Sequence, residues 1–231
     1  MNGVPPLRAR LDEVRARVAG AARRSGRPAD AVRLIGVVKT VPAGVVREAV
    51  GFGLEDLGEN RVQEAGRKIA EVGRTGVRWH LVGHLQRNKV GRALECFDRV
   101  HGIDTIELAQ ALSERAAAAG RRMPGLVEVN VSGEASKFGV APAELERLLA
   151  ATLALPGLAI DGLMTVGRQV ERPERARPAF VRMRELRDRC ARTLGAALPE
   201  LSMGMSGDFE VAIEEGATMV RVGTAIFGSR P

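Results

Sequence analysis

The stretch RLIGVVKTVP, residues 33–42, joins an uninterrupted apolar run to a single lysine. The run has no charge and is rich in β-branched residues, which predicts a strand buried on both faces, as in parallel sheets. Only four of the 35 lysines and arginines are lysines, so arginine supplies most of the positive charge. We interpret Lys39 as a residue kept for its amine, which a guanidinium does not replace near neutral pH. The plainer alternative is a lysine whose stem reaches solvent.

Seven further apolar runs follow, separated by amphipathic stretches. The predicted strands cover about residues 32–38, 54–58, 78–82, 99–103, 125–130, 159–164, 200–204 and 219–223. Helical patterns between them include residues 44–53, 61–73, 106–120, 142–155, 177–195 and 208–216. Eight strands alternating with helices predict an α/β fold, a (β/α)₈ TIM barrel. An open doubly wound sheet is the alternative, but the first strand–helix turn has no G-x-G-x-x-G.

The sequence predicts a single domain with one helix added at its N-terminal end. The segment to about Ala22 has the apolar spacing of an extra amphipathic helix, and no linker interrupts the chain, so we expect one domain over residues 1–231.

The formal charge is +7, but the arginines are scattered and aromatic residues make up 3%, which argues against nucleic-acid binding. Cys96 and Cys190 are isolated, the first twenty residues lack the apolar run of a secretion signal, and no apolar run is long enough to predict a membrane span. We therefore expect a cytoplasmic protein without a membrane partner.

Barrels place their active groups where strands end and the following loops begin. Loops after predicted strands seven and eight, with Ser206 in one and Gly223 and Thr224 in the other, have the glycines and hydroxyls of a phosphate cradle. The alternative is that they only cap helices and form turns. Arg221, inside strand eight, faces either inward to a phosphorylated ligand or outward past a helix.

Two histidines have the spacing of a helical zinc site. His80 and His84 are separated by Leu81-Val82-Gly83, which is typical of a strand end, and no third ligand is nearby. We expect no metal site there. His80 is interpreted as a packed residue and His84 as part of the barrel's polar end.

Five motifs occur in an order that resembles the pyridoxal phosphate homeostasis protein family. They are GVVKTVP (36–42), LGENRVQE (57–64), WHLVGHLQRNK (79–89), SMGMSGDFEVAI (202–213) and RVGTAIFG (221–228). The resemblance extends from about residue 32 to the end of the chain. It implies a single barrel of the alanine racemase N-terminal type (fold type III) that holds pyridoxal 5′-phosphate (PLP) on a lysine.

The same resemblance implies roles for individual residues. Lys39 is then the Schiff-base lysine, and Arg221 lies beside the pyridine nitrogen. Val38 and Arg61 depart from the expected pattern, which has a small hydroxyl residue and an aromatic residue at these positions. The other implied cofactor-binding residues are Asn60 near the ring and Ser206, Gly223 and Thr224 at the phosphate.

Three functions remain open from the sequence. The first is a non-enzymatic protein that holds PLP as a Schiff base and buffers or delivers it in vitamin B6 homeostasis, with PLP and apo forms of PLP-dependent enzymes as partners and a monomeric state expected. The second is a PLP-dependent amino-acid racemase, which needs a base on each face of the substrate. The chain has no tyrosine to serve as the second base, and we expect no second domain after Pro231. The third is a barrel aldolase that uses Lys39 directly on a phosphorylated sugar.

Overall fold

Eight parallel strands close into a barrel in sequence order, with β1 hydrogen-bonded to both β2 and β8. This computed structural model describes residues 6–168 and 170–228. The strands are β1 Arg33–Val37, β2 Asp56–Glu59, β3 Arg78–Leu81, β4 Arg99–Ile103, β5 Met123–Glu128, β6 Leu158–Met164, β7 Glu200–Ser202 and β8 Met219–Val222. Because they are parallel, all their carboxyl ends lie at one end of the barrel, which we call the mouth; the opposite end is the base.

The outer layer consists of α-helices, one before the first strand and one after each strand. They are α1 Leu7–Arg24, α2 Ala43–Gly51, α3 Val62–Val72, α4 Val90–Cys96, α5 Ile106–Ala118, α6 Leu145–Leu153, α7 Arg177–Leu194, α8 Phe209–Glu214 and α9 Thr224–Phe227. The predicted TIM barrel is confirmed. In the described part of the chain, no helix is long and apolar enough to cross a membrane.

The differences from the predicted elements are mostly at their ends. Strand β2 begins two residues later than predicted and ends one residue later, at Glu59. Helices α4 and α9 lie outside the predicted helical stretches because each is too short, at seven and four residues, to show a clear period.

Helix α1 is the predicted extra helix, and it extends two residues beyond Ala22 to Arg24. Its buried side, which includes Leu11 and Val18, packs against α8 and α9. Arg10 Nε donates to the carbonyl of Ile226 at 2.6 Å. The helix before the first strand therefore covers the helices that flank the last one.

Candidate functional site

Lys39 lies in a turn two residues beyond β1, at the mouth. Its side chain is half-buried, and among the residues that the structure describes none pairs with its amine. The next residue, Thr40, has a φ of 62°, and apart from glycines it alone among the described residues has a positive φ. A β-branched residue in the left-handed region is strained. The turn that presents the lysine is therefore held against a local backbone preference.

A second lysine, Lys68, bonds to this turn. Lys68 on α3 is buried, and its Nζ donates to the Val38 carbonyl at 2.5 Å and to the carboxylate of Glu59. Burial raises the pKa of Glu59, although Lys68 opposes the shift. The sequence around Lys68 is polar and offers no sign of this burial. The pair ties α3 and the end of β2 to the residue that precedes Lys39.

The loops after β7 and β8 meet at Ser206. Its Oγ accepts hydrogen bonds from the backbone N–H of Gly223 at 3.2 Å and of Ala225 at 3.3 Å. A Cβ atom on Gly223 would lie 3.3 Å from the carbonyl oxygen of Val37, so this loop also lies against the end of β1. Within the described ranges, the N–H groups of Ser206, Gly207 and Thr224 have no hydrogen-bond acceptor. The two predicted phosphate loops are thus neighbours with free donors.

The side chain of Arg221 points into the barrel, which is one of the two orientations that the sequence left open. It is 4% exposed; Nη1 donates to the carbonyl and hydroxyl oxygens of Ser202 at 2.9 and 2.7 Å, and Nη2 donates to the Thr165 carbonyl at 2.8 Å. Burial lowers the pKa of Arg221 to about 10, so the guanidinium stays charged at neutral pH. Three of its five N–H groups are used in these bonds. The remaining two have no acceptor among residues 6–168 and 170–228.

Glu128 ends β5 and is 5% exposed. Burial, and to a smaller extent the charge of Asp104, raises its pKa to about 7, while Arg221 opposes the shift. A carboxyl group that titrates near neutral pH thus lies within electrostatic reach of the guanidinium. Sequence alone does not reveal this role, because Glu128 stands in an ordinary strand segment, LVEVN.

Asn60 follows β2 and is half-buried. Gly83 lies against it, since a Cβ there would come within 2.6 Å of the Asn60 carbonyl oxygen and 2.9 Å of its Cα. His84, the next residue, stacks on Phe138 with ring centroids 3.8 Å apart and planes at 9°. The loops after β3 and β5 therefore meet here, and His84 lies at the end of the barrel where it was predicted.

His80 is not simply packed beside Trp79. Its ring bonds Asp56 and His101 inside the barrel, and His101 was not among the predicted site residues. The signal was present in the alternation of β3 and β4, whose inward positions carry these histidines. In the described segments, no group of histidines, cysteines or carboxylates has the arrangement of a metal site.

Comparison with known proteins places this barrel in a family. The sequence profile described as "Alanine racemase, N-terminal domain" matches residues 9–231. A protein of Aquifex aeolicus is 46% identical over 96% of this chain and 97% of its own length, and one of Pseudomonas aeruginosa is 45% identical over 95% and 94%. Both are named pyridoxal phosphate homeostasis protein. The chain belongs to the alanine racemase N-terminal domain class of barrels and, within it, to the pyridoxal phosphate homeostasis protein family.

Solved structures agree with this assignment. PipY of Synechococcus elongatus, solved with PLP bound, superposes with a TM-score of 0.84 at 36% identity over 96% of this chain and all of that one. The alanine racemase of Corynebacterium glutamicum superposes with a TM-score of 0.67 at 20% identity, and this chain covers 62% of its length. The second likeness shows a shared fold alone.

Proposed function

We propose that this protein is a single-domain PLP carrier, which binds the cofactor as a Schiff base on Lys39 and acts in intracellular vitamin B6 homeostasis without catalytic turnover. The observation that carries the proposal is a lysine amine without a protein partner, at the same end of the barrel as two phosphate-type loops. The names of the similar proteins, and the PLP bound in PipY, support it.

The donors at the mouth fit the chemical groups of PLP. The free N–H groups of Ser206, Gly207 and Thr224 suit a phosphate, for which backbone amides are common ligands. The two free N–H groups of Arg221 suit the pyridine nitrogen, which the positive charge would keep unprotonated. Asn60 would lie near the ring. When bound, PLP supplies an aldehyde for reversible linkage to an amine.

The residues argue for carriage rather than racemisation. An arginine beside the ring nitrogen disfavours its protonation and so weakens the ring as an electron sink, which argues against transamination and leaves racemisation or carriage open. A racemase also needs a proton-transfer group on each face of the substrate, and the tyrosine that the resembling racemases use is missing from a sequence without tyrosine. We further propose that the protein acts as a monomer and passes PLP to apo forms of PLP-dependent enzymes.

Absorbance spectroscopy with borohydride trapping tests the linkage. The purified protein mixed with PLP is expected to show a Schiff-base band, and peptide mapping after reduction is expected to place the adduct on Lys39. The variant Lys39→Ala should lose the band, and the control Lys89→Ala should keep it. An adduct found chiefly on another lysine would overturn the assignment.

Turnover is tested separately, by proton NMR in deuterated water with D- or L-alanine. We expect at most slow exchange at the α-carbon, since the loss of a positioned acid or base costs about 10²–10⁴-fold in rate. Exchange at rates of roughly 1–10³ s⁻¹ would instead show a racemase. Size-exclusion chromatography with light scattering checks the monomer, and activation of a PLP-depleted enzyme by the loaded protein checks delivery.

A further inference from the structure

A continuous chain of hydrogen bonds crosses the interior of the barrel and ends on Arg221. Arg221 Nη1 bonds Ser202 Oγ at 2.7 Å, Ser202 Oγ bonds His101 Nδ1 at 3.0 Å, and His101 Nε2 bonds His80 Nδ1 at 3.0 Å. His80 Nε2 then bonds Asp56 Oδ1 at 2.8 Å. All five side chains are buried, with exposed fractions of 5% or less. The chain runs from the mouth to the base through strands β8, β7, β4, β3 and β2.

The base end of this chain is anchored by an ion pair. Arg78 donates to both carboxylate oxygens of Asp56, at 2.8 and 2.7 Å, at the edge of a cavity of about 520 Å³ that Arg33 also lines. Burial raises the pKa of Asp56, but hydrogen bonds from Arg78 and His80 outweigh it and leave the pKa well below its ordinary value. Asp56 is therefore ionised at neutral pH and acts only as an acceptor.

The two ends fix the direction of every bond between them. Asp56 only accepts, so His80 donates to it from Nε2, and a neutral His80 then accepts at Nδ1 from the Nε2–H of His101. A neutral His101 accepts at Nδ1 from the Ser202 hydroxyl, whose oxygen accepts from Arg221. Both imidazoles are neutral, and both are the Nε2–H tautomer.

The surroundings oppose a second charge in this chain. Burial lowers the pKa of His80 and lowers that of His101 further. Asp56 favours a charged His80, but Arg99 and Arg33 oppose it. His101 also faces Arg221, whose charge disfavours a cationic ring beside it. The chain therefore holds one cation at the mouth and one anion near the base, with neutral groups between them.

We propose that Ser202, His101 and His80 are positioning residues, which hold the Arg221 guanidinium in a fixed orientation toward the cofactor ring through a one-directional hydrogen-bond chain that ends on Asp56. The inference rests on the proposed function for the identity of the ring. The chain itself is a property of the protein alone, and it ties the electrostatics of the mouth to an ion pair at the far end of the barrel.

The first test uses the protein without cofactor. The protein has only three histidines, so two-bond ¹⁵N NMR correlations can resolve each ring. The variant His84→Gln assigns the signal of the histidine that lies outside the hydrogen-bond chain. We expect His80 and His101 to be neutral Nε2–H tautomers at pH 7 and pH 8. An Nδ1–H tautomer or an imidazolium signal at either ring at pH 7 would overturn the proposal.

The second test breaks the chain at its smallest link. Ser202→Ala removes the hydroxyl, leaves the carbonyl bonds of Arg221, and should convert the His101 ring to a mixture of tautomers. In the PLP-loaded protein it should raise, by about 0.5–1 unit, the pH at which the ring nitrogen takes up a proton, because the guanidinium is less firmly held. His101→Gln, which keeps one donor and one acceptor, should restore most of the wild-type titration that His101→Phe loses.

Ser113→Ala is the matched control. Ser113 is equally buried and its hydroxyl accepts from the Gly157 N–H, outside the chain, so this variant should lose stability without moving either histidine signal. Unchanged histidine signals and an unchanged titration in Ser202→Ala would overturn the inference even with PLP fully bound. If no Schiff base forms in the wild-type protein, the proposed function fails. The tautomers of His80 and His101 in the PLP-free protein still decide whether the hydrogen-bond chain forms.

Discussion

Lys39 and Lys68 belong to the same turn, Lys39 within it and Lys68 bonded to the residue before Lys39, yet their surroundings have opposite characters. Lys68 is buried and shared between the Glu59 carboxylate and the Val38 carbonyl. Lys39 is half-buried and has no partner in the described part of the chain. The difference shows that the lysine with partners serves the fold, while the lysine without them remains available to a ligand.

The largest effect is expected where a buried charge loses its partner. Lys68→Met leaves the Glu59 carboxyl buried without its cation and the Val38 carbonyl without a donor, so the free energy of unfolding should fall by about 3–5 kcal/mol. Urea denaturation measures it. Lys89→Met, at a lysine outside this pair, is the control and should stay within about 0.5 kcal/mol of wild type. A loss in Lys68→Met as small as that of the control would mean that the buried pair does not form.

Glu128 extends the comparison to a carboxyl group at the mouth. Its pKa of about 7 in the folded protein is above the ordinary value, so the folded state binds the proton more tightly than the unfolded chain does. Stability present below about pH 4.5 is therefore lost as the pH rises toward 7. Between pH 5 and pH 8, the wild-type protein should lose roughly 1–3 kcal/mol relative to Glu128→Gln.

Denaturation midpoints of the PLP-free proteins across this pH range check the prediction for Glu128. The exposed Glu185 provides the control, since Glu185→Gln should run parallel to wild type. If the midpoint of Glu128→Gln ran parallel to that of the wild-type protein across this pH range, the pKa of Glu128 would not be raised in the folded protein. Asp104 and Arg221 act on the same group, so their charges must be kept intact in both variants.

A smaller effect is expected for ion pairs on the outer layer. Arg17 on α1 bonds Glu210 at 2.7 Å and lies over the ring of Phe209, but both charged side chains are a third or more exposed. Arg17→Ala should cost about 0.5–1 kcal/mol, because water and salt screen such pairs. The thermal midpoint measured at low and high salt checks this, and a cost that does not fall with salt would assign it to packing on Phe209.

The smallest effect is expected at Lys39 itself. Without PLP, Lys39→Met removes a charge that has no partner among the described residues, so the free energy of unfolding should change by less than about 0.5 kcal/mol. Urea denaturation beside Lys68→Met makes the contrast direct. A loss comparable to that of Lys68→Met would mean that Lys39 is a structural residue, and it would remove the main reason for assigning it to the cofactor.

The sequence allowed the barrel to be predicted because each strand is a compact apolar run. It also indicated Lys39 and Ser206, since strand ends and glycine-rich loops are local features. Partners from distant strands could not be read in this way. His101 and Glu128 look ordinary in their own segments, and only closure of the barrel brings them to Ser202 and Arg221. Lys68 and Glu59 are nine residues apart, and their pairing depends on how α3 packs back onto β2.

The closure of β1 against β8 has a consequence for the order in which the molecule acquires its properties. Ile35 is in register with Arg221, nearly the whole barrel apart in sequence, so the contact forms only after a costly long-range search. A growing chain has Lys39 early but neither Arg221 nor Gly223 until its last strand is made. The ability to bind PLP should therefore appear late and in a single step, when β8 closes the barrel against β1. A chain that lacks its last strand should not bind PLP.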